Sequence, residues 1–331
     1  MPRELEEPMN IIQTAEESIP FIGIIGPTAV GKTAWSLRMA EALCGEIVSV
    51  DSRQVYRHLN VGADKIDQAT RERIPHHLLD VVDPDEPFSA ADFAELASQA
   101  ILDIRSRGKI PLLVGGTPFY FRALTDPLLS EDLPKSWELR EQLEERARHE
   151  GTELLHQELC RIDPEYAAKI HPRDLHRTIR GLELWRLCGT IPSELFQDRR
   201  KRERSFRPLY IGLWKERSEL CDTIARRVGT QFSSGFVEEV AQLLEMGYDS
   251  RLPALQGFGY RELVWYHQGQ CSLQEALEGD IRATRAFSRR QMTWFRKFSP
   301  TLWYHVSRLE DQKVFSHLID SCVFFLEGGN P

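Results

Sequence analysis

The sequence predicts an α/β fold, a parallel sheet covered by helices on both faces and interrupted by a helical insertion. Three observations carry that prediction. Short apolar, β-branched-rich runs alternate with helix-length segments through the first third of the chain. A glycine-rich turn joins the first run to the first helix. The alternation lapses between residues 127 and 205 and then resumes.

The elements follow in order. Phe21 to Ile25 and Glu46 to Val50 read as strands, with a helix from Thr33 to Leu43 between them, closed by Gly45. Leu78 to Val82 is a third apolar run. Ser89-Ala-Ala-Asp92 has the spacing of a capping box and opens a helix ending near Gly108. Ile110 to Val114 is a strand stopped by Gly115-Gly116. The stretch that follows is charged and helical in period, with Pro134, Pro164, Pro172 and Pro192 as breakers. Leu209 to Trp214 restores a strand, helices run to about Phe298, and Leu302 to Val306 reads as a last strand. The division expected is a tail over 1–18, an α/β core over 19–126 and 206–310, an insertion over 127–205 and an extension over 311–331.

Composition sets limits on function. The chain has 331 residues, 41% hydrophobic and 28% charged, which excludes wholesale disorder. No apolar run approaches the roughly 18 residues of a membrane span, and the start of the chain lacks a secretory pattern. Six cysteines lie far apart without a C-x-x-C pair, so a reducing, cytoplasmic setting is expected. Net charge is −8 but unevenly spread. Residues 1–170 hold 18 basic and 30 acidic side chains, and residues 171–331 hold 24 and 20. The basic excess suggests that a polyanion meets the C-terminal half.

Gly26-Pro27-Thr28-Ala29-Val30-Gly31-Lys32-Thr33 matches G-x-x-x-x-G-K-[ST] between a strand and a helix. Backbone N–H groups there wrap an anion, Lys32 neutralises phosphate oxygens, and the Thr33 hydroxyl is suited to Mg²⁺. The core is therefore P-loop NTPase-like, and ATP is one ligand such a loop takes. Asp51 and Ser52 end the second strand, where a carboxylate suits proton transfer or metal binding. Asp-Ser is equally a common turn cap. The fourth strand ends in Gly115-Gly116-Thr117, without the acidic metal anchor of an ATPase.

Other motifs complete a set. Ser49 to Tyr56, Ile74 to Asp80, Leu113 to Thr117, Ile170 to Arg180, Gly257 to Glu262 and Ala283 to Arg296 occur in that order around the phosphate loop. Together they resemble the tRNA isopentenyltransferase family, the bacterial tRNA dimethylallyltransferases, from about residue 20 to residue 300.

The resemblance implies transfer of a dimethylallyl group from dimethylallyl diphosphate to the exocyclic amine of the adenosine just 3′ of the anticodon. It implies that Gly26 to Thr33 hold the diphosphate, with Lys32 and Thr33 acting alongside Mg²⁺. It implies Asp51 as general base and Arg217 as a diphosphate contact, although Trp214-Lys215-Glu216-Arg217 departs from the family's Ala-Pro-x-x-Arg. Its tRNA contacts fall on Asp51, Ser52, Arg53, Gln54, Thr117 and Arg140. They continue on His176, Arg177, Thr178, Ile179 and Arg180, and on Gln256, Gly257, Phe258, Gly259, Tyr260 and Arg261. Tyr260 is expected to offer a stacking face. No membrane partner and no oligomer are implied.

At 100° per residue, Arg282, Arg285, Arg289 and Arg296 share one arc of a helix over 281–298, opposite Phe287, Trp294 and Phe298. The aromatic side is expected to face the core, and Arg285 and Arg289 to meet tRNA phosphates. His76 and His77 read as structural. Two other activities share such a core: a small-molecule kinase using Arg199 to Arg204 as a lid, and prenyl transfer to free adenine nucleotides.

Overall fold

The computed structural model describes residues 18–126, 133–199 and 206–329. The core elements are β1 (Ile19–Ile25), α1 (Lys32–Leu43), β2 (Gly45–Val50), α2 (Gln68–Arg73), β3 (His76–His77), α3 (Ala90–Ser106), β4 (Ile110–Gly115) and α4 (Pro118–Thr125). Five helices follow: α5 (Trp137–Glu150), α6 (Thr152–Ile162), α7 (Pro164–Ala167), α8 (Leu175–Cys188) and α9 (Pro192–Arg199). The chain then re-enters the sheet as β5 (Phe206–Trp214) and runs through α10 (Arg217–Ser233), α11 (Phe236–Glu245), α12 (Tyr260–His267) and α13 (Leu273–Phe295). It closes with β6 (Thr301–His305) and α14 (Gln312–Leu326).

The six strands are all parallel, in the order β3-β2-β4-β1-β5-β6. Parallel strands are covered on both faces, so their sequences are apolar throughout. Central β1 alternates accordingly. Phe21 and Ile25 pack with Phe93, Ile101 and Ile104 of α3 and Phe121 of α4. Ile22 and Ile24 pack with Trp35 and Met39 of α1, Ile224 of α10 and Phe315 and Leu318 of α14. Each such fully buried side chain contributes roughly 1.5–3 kcal/mol. The extension read at 311–331 is thus part of the wall of the core, because the amphipathic face of α14 covers α1 and β1.

One local expectation changes. The apolar run Leu78 to Val82 is not a strand: Leu78 and Asp80 turn to φ 62° and 58°. Asp80 is drawn into that turn by Lys65 at 2.6 Å and Arg71 at 2.8 Å, leaving only His76–His77 paired with β2. The capping box at Ser89 and Asp92 forms as read, with α3 ending at Ser106.

The insertion helices have their own core of Leu143, Leu155, Leu159, Ile170, Ile179 and Leu182. Beside it Glu183, fully buried, accepts from Arg140 Nε and Nη2 at 2.9 and 3.0 Å and from the Ser136 N–H at 2.8 Å, with Arg180 against its other oxygen. These partners hold the carboxyl of Glu183 below the ordinary range against the cost of burial. Removing a buried charge partner leaves others unpaired. Glu183→Ala should therefore cost about 3 kcal/mol. Hydrogen exchange should speed up in α5 and α8 before the sheet opens. Equal loss of protection in both parts, or none in either, would contradict this.

Candidate active site

The site sits at the C-terminal ends of β1, β2 and β4; the chain leaves β1 toward β2 and leaves the adjacent β4 toward β5, and this reversal marks the usual ligand crevice of such sheets. After β1 the chain turns through Gly26 at φ 150°; a Cβ there would lie 2.6 Å from the Leu213 carbonyl oxygen. Gly31, at φ 107°, starts α1. At the other wall, a Cβ on Gly115 would lie 1.9 Å from the Val50 carbonyl oxygen, so the ends of β2 and β4 touch only because no side chain intervenes. Lys32 Nζ donates to the carbonyl oxygens of Gly26 and Pro27 at 3.0 and 2.9 Å. Burial, and then nearby Arg227, lower its pKa to about 8, opposed by Asp51 and Asp64.

Asp51 follows β2 directly. Its Oδ1 accepts the N–H groups of Arg53 and Gln54 at 2.9 and 3.4 Å, and Oδ2 makes no hydrogen bond among the described residues. The turn-cap reading is thus met by Oδ1 alone. Thr117 Oγ1 accepts the Ser52 N–H at 3.1 Å, tying that turn to the end of β4. Gln54 accepts from Ser49 Oγ at 2.7 Å and donates to the Ala63 carbonyl at 3.1 Å, which fixes the adjoining loop.

Two chambers meet here. The larger, about 700 Å³, is lined by Arg53, Thr117, Phe258, Arg261, Phe287 and Arg290, among others. The smaller, about 340 Å³, takes in Gly31, Thr33, Ile47, Ser49, Asp64 and Val114. Thr28, Lys32, Asp51, Ala63, Gly116 and Arg227 line both. In the larger chamber Arg53 lies 3.7 Å over the Phe258 ring, Phe258 stands 5.0 Å from Phe287, and Arg290 lies 5.8 Å over Phe287. Two adjacent rings flanked by two cations make a shelf suited to a flat, electron-rich ring system. Burial lowers the pKa of the Arg53 guanidinium and pushes the Asp280 carboxyl in the same wall up to about 6.

Several expected positions lie elsewhere. Arg217 lines a separate cleft of about 610 Å³ with Lys215, Arg285, Arg289, Arg296 and Trp303, because it stands at the first turn of α10. The arginine at the phosphate loop is Arg227, whose Nη1 donates to Thr28 Oγ1 at 3.5 Å and whose Nη2 pairs with Asp64 at 3.3 Å. Tyr260 offers no stacking face: it is fully buried, its hydroxyl donating to Glu239 at 2.7 Å. Thr178 and Ile179 are buried in the insertion, whereas His176 and Arg177 are exposed. Arg140 and Arg180 are engaged by Glu183. Gln256 is exposed, Gly257 passes under the Arg53 guanidinium, and the Gly259 N–H donates to Glu262 at 2.7 Å. The arginines read as a possible lid at 200–204 lie outside the described residues, and nothing is described of the Arg199 side chain.

The α13 wheel also changes. Its buried stripe is Ala276, Asp280, Thr284, Ser288, Gln291 and Phe295. Trp294 is exposed, and Phe287 faces the larger chamber; Phe298 alone of the three expected aromatics packs on the sheet core. Arg282 pairs with Glu278 at 3.7 Å, and Arg285 donates to the Cys221 carbonyl at 3.1 Å, so Arg289 and Arg296 are the exposed cations of the stripe without a side-chain partner among the described residues. His76 and His77 are structural as read, bonded to the Ile74 carbonyl and to Glu46 at 2.6 and 2.7 Å.

Residues 54–298 match the family model described as IPP transferase, about three quarters of the chain. The chain belongs to the IPP transferase family. It is 38% identical to the tRNA dimethylallyltransferase of Halothermothrix orenii, across 90% of this chain and 91% of the relative. It is 42% identical to tRNA dimethylallyltransferase 1 of Pelobacter propionicus, across 94% and 99%. The tRNA isopentenylpyrophosphate transferase structure from Bacillus halodurans superposes with a TM-score of 0.69 at 35% identity, covering 94% of this chain and 98% of that one. A eukaryotic dimethylallyltransferase described as acting on tRNA gives 0.81 at 27% identity, covering 95% and 81%. This IPP transferase is an α/β prenyltransferase, and the family match takes in most of the larger chamber's lining and about half of the smaller's, while the phosphate loop, Asp51 and Arg53 precede the matched residues.

Arg227, Gln291 and the shelf residues Phe287 and Arg290 were missed from sequence. For Arg227 a signal exists: it interrupts the buried face of α10 formed by Ile224, Val228 and Gln231. A cation inside an apolar stripe has a reason to be there. Arg227→Leu should weaken binding of inorganic diphosphate by about tenfold to a hundredfold, the loss of a charge-assisted contact. Arg217→Leu should leave it within about twofold, since charges screened from the ligand contribute little. Titration calorimetry of both variants decides between the two arginines; the reverse ranking would restore Arg217.

Proposed function

We propose that this enzyme transfers the dimethylallyl group of dimethylallyl diphosphate to N6 of the adenosine 3′-adjacent to the anticodon, in tRNAs reading codons that begin with U, releasing diphosphate. One observation carries the reading: Lys32 and Asp51 stand where a phosphate-loop chamber opens into a chamber walled by arginines and aromatic rings. The names of the relatives support the same chemistry.

In this reading the diphosphate lies along Gly26 to Thr33, with Lys32 and Arg227 on its oxygens. Lys32 exchanges its loop carbonyls for phosphate oxygens, and the anion restores the charge that burial disfavours. The target base leaves its stack and enters the larger chamber beside Phe258 and Phe287, a cost of a few kcal/mol offset by backbone contacts. The amine nitrogen attacks the allylic carbon, the carbon–oxygen bond breaks, and its electron pair leaves with diphosphate. The proton lost from nitrogen goes to Asp51 Oδ2. Lys32 and Arg227 face the charge that develops on the leaving oxygen.

The oxygen donors of the smaller chamber, Thr33, Ser49, Asp51 and Asp64, suit a hard cation shared with phosphate. Thr33 with Asp64 would hold Mg²⁺, which when bound supplies further charge for the leaving group and leaves Asp51 Oδ2 for the proton. Among the described residues no cluster of three or more His, Cys, Asp or Glu forms a closed metal cage. That agrees with an ion carried largely by substrate and water. The tRNA backbone is assigned to the basic cleft of Lys215, Arg217, Arg289 and Arg296 and to His176 and Arg177, the contacts to bases to the shelf. The setting is proposed to be cytoplasmic.

Asp51→Asn should slow single-turnover transfer by about 10²–10⁴ while tRNA binding persists. Unchanged single-turnover rates would remove Asp51 from the mechanism. Arg289→Ala with Arg296→Ala should weaken tRNA binding and reduce its salt slope by about one unit per lost phosphate contact. An unchanged slope across a salt series would place the RNA elsewhere.

A further inference from the structure

Gln291 lies in the buried stripe of α13, only 2% exposed, and its amide reaches both sides of the site. Oε1 accepts the Thr28 N–H of the phosphate loop at 2.8 Å, and Nε2 donates to the Gly116 carbonyl beyond β4 at 2.6 Å. Thr28 N is a donor and Gly116 O an acceptor, so one orientation of the amide satisfies both. The approach depends on a glycine: a Cβ on Gly116 would lie 2.5 Å from Nε2 and 3.7 Å from Lys32 Nζ. The contact therefore sits one atom layer from the cation of the loop.

The loop needs such a hold. Ala29, the residue after Thr28, adopts φ 63°, a conformation unfavourable for a residue with a Cβ. Just before that turn the Thr28 N–H points toward α13, where Gln291 supplies its acceptor. Within its length the side chain satisfies a backbone donor on one side of the site and a backbone acceptor on the other.

We propose that Gln291 is a positioning residue for the prenyl donor: it clamps the phosphate loop to the end of β4 so that the remaining loop N–H groups and Lys32 aim at the diphosphate. It acts through the loop and does not touch the group transferred. The inference rests on the reading of this loop as the donor site.

Gln291→Met keeps the length of the side chain and removes both hydrogen bonds; Gln291→Asn keeps the amide but is too short to span. Donor KM and kcat at saturating tRNA, inorganic diphosphate affinity with Mg²⁺, tRNA affinity without donor, and the thermal midpoint are measured for both. Donor KM and the diphosphate Kd should rise about tenfold, the scale of one or two lost hydrogen bonds. kcat should stay within about threefold and tRNA affinity within about twofold. A folded variant with the diphosphate affinity and donor KM of the parent overturns the proposal. So does a loss of tRNA affinity equal to the loss of diphosphate affinity, which would make Gln291 merely a support of α13. If the Met variant does not fold, the Asn variant decides the same question by the same criteria. Failure of the parent protein to bind diphosphate is a different result, and overturns the reading of the loop itself.

Discussion

Two cations and a carboxylate share one enclosed wall in this protein, and much of the structure exists to keep them there. Burial, and then neighbouring Arg227, depress the pKa of Lys32 to about 8 although Asp51 and Asp64 oppose the shift, so two cations stand close together away from bulk water. Such an arrangement is unfavourable without a ligand and favourable with a polyanion. It persists because its parts are anchored in different places: Lys32 on α1 beneath β1, Arg227 on α10, Asp51 at the end of β2. Moving any one of them means moving a buried strand or a helix packed on the sheet.

Helix α13 shows the consequence for packing. A helix packed among others normally buries an apolar stripe, yet between α10, α12 and α4 the buried stripe of α13 holds Asp280, Thr284, Ser288 and Gln291. The stripe is polar because it faces the loop and the chamber, not a hydrophobic layer. Apolar closure is supplied instead by Phe295 at its end and by Ala276 near its start, so the helix is pinned at both ends and chemically specialised between them. The opposite flank carries Arg289 and Arg296, which places one helix between donor chemistry and a basic cleft.

The arginines divide by partner more than by position. Arg140 and Arg180 neutralise the buried Glu183, and Arg107 and His77 bracket the buried Glu46. These hold elements together and are not free for a polyanion. Arg53 and Arg290 lie on aromatic faces and keep their charge directed into the larger chamber. Within residues 171–331, Arg180, Arg227 and Arg282 are likewise paired with carboxylates, so not all of that half's basic side chains are open to a polyanion.

What the sequence determined by itself is the local grammar. The β1–loop–α1 unit, the Ser89 capping box, the helical insertion and strands read at 46–50, 110–114 and 209–214, within one to three residues of β2, β4 and β5, follow from periodicity, caps and breakers, which act over a few residues. Asp51 was legible for the same reason, since it follows its strand directly. What only the tertiary structure decided is which side chains from distant segments face one another. Arg227, and not Arg217, meets the loop because α10 turns that face inward. Tyr260 is buried because Glu239 accepts its hydroxyl. Gln291 reaches Thr28 across 263 positions of chain. No periodicity links such residues: their pairing is set by the packing of α10, α11 and α13 over the sheet, and a hydrogen bond carries no signal along the chain between its ends.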